Sequence, residues 1–156
     1  MKQFVLVLSV LLSAALSWAD VYPKNPDLNL TPGSTCDKPD SYRYPERIPY
    51  CNRDVETELK KEIIRDYNHK LGYKIQTRAE YKIDHFIPLC MGGSNHKDNL
   101  WPQHRTVYTI TDNLEFIACE KMKEGRLTQK RAIELLREAK LNLKRASAIE
   151  SQINQM

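Results

Sequence analysis

The stretch from Tyr81 to His104 leaves a chain little choice of local fold. Residues 78–89 are rich in strand formers and end in Asp84-His85-Phe-Ile-Pro88-Leu. Gly92-Gly93 then allow a tight reversal, and Asn99-Leu-Trp101 begins a return arm that Pro102 cuts short. A hairpin this small is not stable alone in water, so it must be stapled to helices.

The flanking sequence supplies those helices. Asp54 is a plausible N-cap, and Val55, Leu59, Ile63, Ile64 and Tyr67 recur at helical spacing until Gly72. A second helix is expected over 106–124, with Ile110, Leu114, Ile117, Ala118 and Met122 turned inward and Gly125 as its break. Thr128 caps a third, running to about residue 150. Its apolar face is Ala132, Leu135, Leu136, Ala139, Leu143 and Ala146. Only two short strands are visible. The fold class is α+β: a small β-hairpin packed on helices, preceded by an irregular arm.

That arm covers residues 20–50. It holds six prolines and few aliphatic side chains, with Tyr42, Tyr44 and Tyr50 as expected anchors. Residues 51–156 form the domain proper. Residues 1–19 read as a signal peptide: Lys2, an apolar run from Phe4 to Leu16, then Ser17-Trp-Ala19 before Asp20. The run is shorter than the roughly 20 residues of a membrane span. No later segment is long and apolar enough to cross a membrane. A secreted or periplasmic protein without stable membrane association is therefore expected.

Four cysteines lie beyond this leader, which suits an oxidising compartment. Three pairings are possible, and Cys36–Cys51 with Cys90–Cys119 is favoured. A four-cysteine zinc site would need closer C-x2-C spacing than the chain offers. Removing Lys2 with the leader lowers the formal net charge from +4 to +3. That permits a polyanionic partner without demanding one.

Asp84, His85 and Asn99 are the chemically loaded residues of the hairpin. A carboxylate and an amide oxygen suit a hard cation, and a histidine can be a neutral general base near pH 7. Neighbours on a regular strand point to opposite faces, so Asp84 and His85 can serve one centre only where the strand twists or ends. Each piece alone is ordinary; the combination is specific.

D-H-x2-P-L-x2-G-G-x5-N-L-W-P closely resembles a branch of exported HNH, or ββα-metal, nucleases. The likeness continues through Asp112-Asn-Leu114-Glu115, Gly125-Arg-Leu127 and Ala132-Ile133, and so spans roughly residues 50–140. It implies a ββα-metal core, Asp84 and Asn99 as ligands of a divalent ion (Mg²⁺ first, Mn²⁺ as the substitute), and His85 as the base that activates water. Two departures stand out. Where such proteins often carry a final metal-binding histidine, this chain has Val107 or Tyr108, leaving His104 as a candidate third ligand. Where the branch often carries a cysteine two residues before the matching glycine, this chain has Lys123, which favours Cys90–Cys119. Asp112 and Glu115 are candidates to orient His85 or metal-bound water, with helix capping and a surface ion pair as the alternative. His69 and His96 read as solvated.

The substrate so implied is DNA, with RNA as an alternative, cut with little sequence preference. Lys82, Lys97 and Arg105 are the candidate phosphate contacts nearest the motif. Lys130, Arg137, Lys140 and Lys144 form a helical stripe that either tracks a nucleic-acid backbone or is a solvated face. The competing function is a non-catalytic exported binding protein on the same scaffold.

Overall fold

The computed structural model of the chain describes residues 22–76 and 78–156. The expected leader lies outside the described residues. The rest forms a small α+β fold of four helices and two antiparallel hairpins.

The proline-rich arm is more ordered than the sequence suggests. It forms β1 (Ser41–Arg43) and β2 (Ile48–Tyr50), with Ser41 opposite Tyr50, closed by the Arg47 N–H donating to the Tyr44 carbonyl at 2.9 Å. Proline is tolerated because these are edge strands. Ile48 is buried, Tyr44 packs on the core, and Tyr42 stays exposed rather than acting as an anchor. Earlier in the arm, Thr31 Oγ1 and the Asp27 N–H bond to the Tyr67 hydroxyl, tying it to α1 (Thr57–Leu71). That helix starts three residues beyond Asp54, its N-cap being Glu56, and ends at Gly72 with φ 75°.

The motif hairpin is β3 (Tyr81–His85) against β4 (Leu100–His104), with Asp84 opposite Trp101 and His85 opposite Leu100. β3 is shorter than the expected 78–89. After His85 the Phe86 N–H still reaches the Asn99 carbonyl, at 2.7 Å, and then the chain turns away toward Pro88, which has no N–H to donate. Glycine is required in the loop that follows. A Cβ on Gly93 would lie 1.8 Å from the Ile87 carbonyl oxygen, and Gly92 has φ 79°. The arm closes over this loop through a Thr35–Gly93 bridge and a Cys36 N–H bond to the Gly92 carbonyl.

Helix α2 (Arg105–Lys123) leaves β4 directly. Helix α3 (Gln129–Leu141) follows, with the Thr128 hydroxyl accepting from the Arg131 N–H. The single long third helix is in fact two. Asn142 leaves helical geometry, its side chain accepts from the Lys144 N–H, and α4 (Ala146–Asn154) starts after a short turn. Asparagine competes with the helix for backbone hydrogen bonds, which accounts for the break.

Two apolar clusters result. One joins α2, α3 and α4 through Leu114, Met122, Leu135, Leu136, Ile149 and Ile153. The other packs α1 on the hairpin through Ile63, Tyr67, Phe86, Leu100, Trp101 and Val107. Ile110, expected inward, is 43% exposed because α2 turns Val107, Thr111 and Leu114 to the core instead. Both favoured disulfides are present, Cys36–Cys51 and Cys90–Cys119. Among the described residues no helix is long and apolar enough to cross a membrane.

Candidate active site

Asp84 and His85 are the last two residues of β3, and both line one cleft, about 300 Å³ in volume. Arg43 and Tyr50 come to it from the β1–β2 hairpin, Arg53 from the loop after Cys51, and Glu115 from α2. The Arg43 guanidinium lies over the Tyr50 ring at 3.2 Å. A larger hollow of about 440 Å³ lies between β2 and α3, lined in part by Glu46, Gln129, Lys130 and Glu134, and holds no motif residue.

The hydrogen bonds of His85 define its tautomer. The Asn95 amide nitrogen donates to the Asn52 carbonyl at 2.7 Å, which turns the Asn95 oxygen to His85 Nε2 at 3.0 Å. Nε2 must then carry the proton, leaving the lone pair on Nδ1. Arg53 Nη1 lies 3.3 Å from Nδ1, while its Nη2 donates to the Ile83 carbonyl at 2.8 Å. Burial lowers the His85 pKa to about 4; the Asn95 contact opposes this and the Arg53 charge adds to it. The imidazole is neutral at every pH near 7.

Behind Asp84 stands Lys140, fully buried on α3. Its ammonium donates to Asp84 Oδ2 at 3.0 Å and to the His85 carbonyl at 2.6 Å, and lies 2.5 Å from Glu115 Oε1. Burial opposes the charge on Asp84, but Lys140 and then Lys82 outweigh it, so the carboxyl titrates below its usual range. Burial also opposes the charge on Lys140; the two carboxylates overcome it and raise the lysine to about 12. One ammonium neutralises one carboxylate. Glu115 is the acid left over, and burial pushes it up to about 7 despite Lys140.

The other expected site residues lie elsewhere. Asn99 is buried, and its amide staples the motif loop: Oδ1 accepts from the Ile87 N–H, and Nδ2 donates to the Ile87 and Ser94 carbonyls. Both amide hydrogens and one acceptor site of Oδ1 are thus engaged with backbone, in an amide whose expected task was metal binding. His104 pairs with Tyr81, three register positions from the Asp84–Trp101 pair. It caps α2, its Nδ1 accepting from the Thr106 N–H, and its ring stacks on Tyr22 at 3.9 Å. His104 is thus set apart from Asp84, while Asn99 lies at the Asp84–His85 end of the hairpin with its amide turned to the loop. Among the described residues no three His, Cys, Asp or Glu side chains are grouped to hold a metal ion.

The candidate phosphate contacts are largely engaged. Lys97 is paired with Glu62 and Asp66, and Arg105 with Glu80 at 3.3 Å. Lys82 bonds Asp112 at 2.6 Å and lies 3.4 Å from Asp84 Oδ1, so Asp112 holds Lys82 on an exposed face while Glu115 lines the cleft. The basic stripe expected on the third helix is broken: Lys130 and Lys144 are exposed, but the two residues between them are engaged. Lys140 is in the core, and Arg137 donates to the Pro32 carbonyl with its guanidinium 4.4 Å from the Phe86 ring.

Arg53, Asn95 and Lys140 were not singled out for the site. Lys140 had a signal: it falls four residues after Leu136, on the edge of the apolar face. Arg53 and Asn95 had none, because a disulfide-tied arm and an irregular loop carry them. Comparison of the chain with protein-family models, curated proteins and solved structures finds no match.

Proposed function

We propose that the cleft hydrolyses phosphodiester bonds of DNA, with RNA as the alternative polymer, and that His85 is its general base. The observation that carries this reading is the single tautomer of His85: a neutral imidazole, Nε2–H tied to Asn95, with the Nδ1 lone pair facing an arginine in an open cleft. A phosphate entering the cleft would draw the Arg53 guanidinium to its own oxygens, since charge-assisted pairing outweighs a bond to a neutral imidazole. Nδ1 is then free to accept a proton from water. The water oxygen attacks phosphorus and the P–O3′ bond breaks. The bonding pair leaves with O3′, which is protonated from solvent, and His85 later returns its proton to solvent. Arg43 offers a second cation for the charge that gathers on the phosphoryl oxygens.

The resemblance implies a divalent ion in such a centre, which would stabilise that same charge. The residues it names do not fit one, since each Asp84 oxygen already has an ammonium beside it and His104 lies at the other end of the hairpin, and no step here runs through a metal. The cleft reads backbone charge, not bases, so low sequence preference is part of the proposal. Two disulfides fit an extracytosolic site of action. Incubating the purified, disulfide-bonded protein with supercoiled plasmid tests the reading directly. Nicking by the wild type that is lost in His85→Ala supports it, and a wild type that binds plasmid without nicking it favours the binding-protein alternative.

A further inference from the structure

We propose that the ammonium of Lys140 is the resident cation of the Asp84–Glu115 pair. The cleft then takes no divalent metal at the point where its motif leads one to expect it, and Asp84 is a positioning residue for Lys140 and the His85 backbone. The consequence for catalysis rests on the hydrolytic reading; the cation assignment itself rests on geometry alone.

Lysine offers three N–H donors and no acceptor. Here two donors are met by hydrogen bonds to Asp84 Oδ2 and the His85 carbonyl, at 3.0 and 2.6 Å, and Glu115 Oε1 lies 2.5 Å away as an ion-pair contact, with the lysine side chain fully buried. A small cation bound at this point would meet the same three oxygens. Lys140 is fully covered on the buried side of α3 that also carries Leu136 and Ala139, and its ammonium sits directly behind two carboxyls that line the cleft. Moving it out would leave buried Asp84 and partly buried Glu115 beside each other without the cation between them, the costly arrangement that it now relieves.

Asp84 has little else to give a metal. Its second oxygen, Oδ1, faces Lys82 at 3.4 Å, so each carboxylate oxygen has an ammonium beside it. A hard divalent ion binds by direct contact with anionic oxygen and would have to sit between these two positive charges. Asn99 turns its amide to the motif loop, and the His104 imidazole lies at the other end of the hairpin.

The fixed cation also explains why Asp84 precedes His85. The carboxylate holds Lys140, and Lys140 holds the His85 carbonyl, so the imidazole ring rides on a backbone anchored from the core side. Asp84 therefore acts on the base through Lys140 without touching the phosphate.

Calorimetric titration of Mn²⁺ into the full, disulfide-bonded protein tests the assignment without an activity assay. The wild type should show no stoichiometric uptake. Lys140→Met, close in size and uncharged, should gain one Mn²⁺ site that the double variant with Asp84→Asn loses again. Stoichiometric Mn²⁺ binding by the wild type that Asp84→Asn removes would overturn the proposal, as would a folded Lys140→Met without any gain. Should Lys140→Met fail to give a cooperative melt, the wild-type titration decides alone. Plasmid nicking in EDTA separates the two readings. Activity that persists agrees with both, and activity that returns only with added Mg²⁺ overturns the cation assignment while keeping the hydrolytic one. No nicking in either condition removes the hydrolytic reading and leaves the titration to judge the cation.

Discussion

Each end of the β3–β4 hairpin carries a histidine, an acid and an arginine. At one end are His85, Asp84 and Arg53; at the other are His104, Glu80 and Arg105. At the first end a core lysine holds the acid from behind, the arginine reaches the ring nitrogen, and a cleft opens in front. At the second, Glu80 and Arg105 pair in solvent, and His104 spends Nδ1 on the start of α2 under the Tyr22 ring. Residue type does not separate these ends. The surroundings of the acid do: Asp84 is buried against Lys140, whereas Glu80 pairs with Arg105 in water, although His104 itself is covered.

The sharpest test of the contrast is catalytic. His85→Ala should lower plasmid nicking by about 10²- to 10⁴-fold, the usual worth of a general base. His104→Ala should leave it close to wild type. Equal losses would erase the distinction between the two ends and return His104 to the site.

A second test separates stapling from chemistry at Asn99. Asn99→Ala leaves the Ile87 N–H and the Ile87 and Ser94 carbonyls without partners, at a cost of about 2–4 kcal/mol in urea unfolding. Arg105→Ala at the exposed end should cost under about 1 kcal/mol. An Asn99→Ala protein as stable as wild type but with lost nicking would reverse the assignment of that amide.

Asn95→Ala frees the His85 tautomer without removing the base. Losing one hydrogen bond of about 1.4 kcal/mol predicts roughly tenfold slower nicking, with substrate affinity little changed. A rise in KM with kcat intact would place Asn95 in substrate binding instead.

The smallest effects concern pH. With His85 near 4, the acid limb of the nicking rate should fall at about pH 4 and not through the ordinary histidine value of 6.5. A limb at 6–7 would mean that His85 is solvated in the substrate-bound cleft. In stability the cleft groups oppose one another. Between pH 4 and 6.5 the unfolded chain takes up the His85 proton more readily, so this contribution is present above 6.5 and lost as pH falls toward 4. Glu115 is raised from 4.5 to about 7, so the folded state binds its proton more readily. That contribution is present below 4.5 and lost as pH rises through 7. Above pH 6.5 only the Glu115 slope remains, and Glu115→Gln should flatten the fall in Tm between pH 6.5 and 7.5. An unchanged slope would mean that Glu115 is ionised throughout.

Much of the scaffold was legible because it depends on neighbours in sequence. The hairpin followed from an apolar strand, paired glycines and Pro102; the helices followed from 3.6-residue periodicity and caps such as Thr128 and Gly72. The β1–β2 hairpin was not legible, since proline suppresses the alternating pattern of a strand and its pairing is held by tertiary contacts around Ile48. The break at Asn142 was hidden by apolar positions that stay in phase across it.

By itself the sequence determined which residues could carry chemistry, that Gly92 and Gly93 must turn the chain, and that Asp84 and His85 lie together on a strand. Tertiary structure decided what those residues do. It drew Lys140 into the core beside Asp84, brought Arg53 from a disulfide-tied loop to His85, and gave the Asn99 amide to the backbone. Local pattern can mark a side chain as polar or apolar. Whether a charge is desolvated, and by which partner it is met, depends on segments that the chain keeps far apart until it folds.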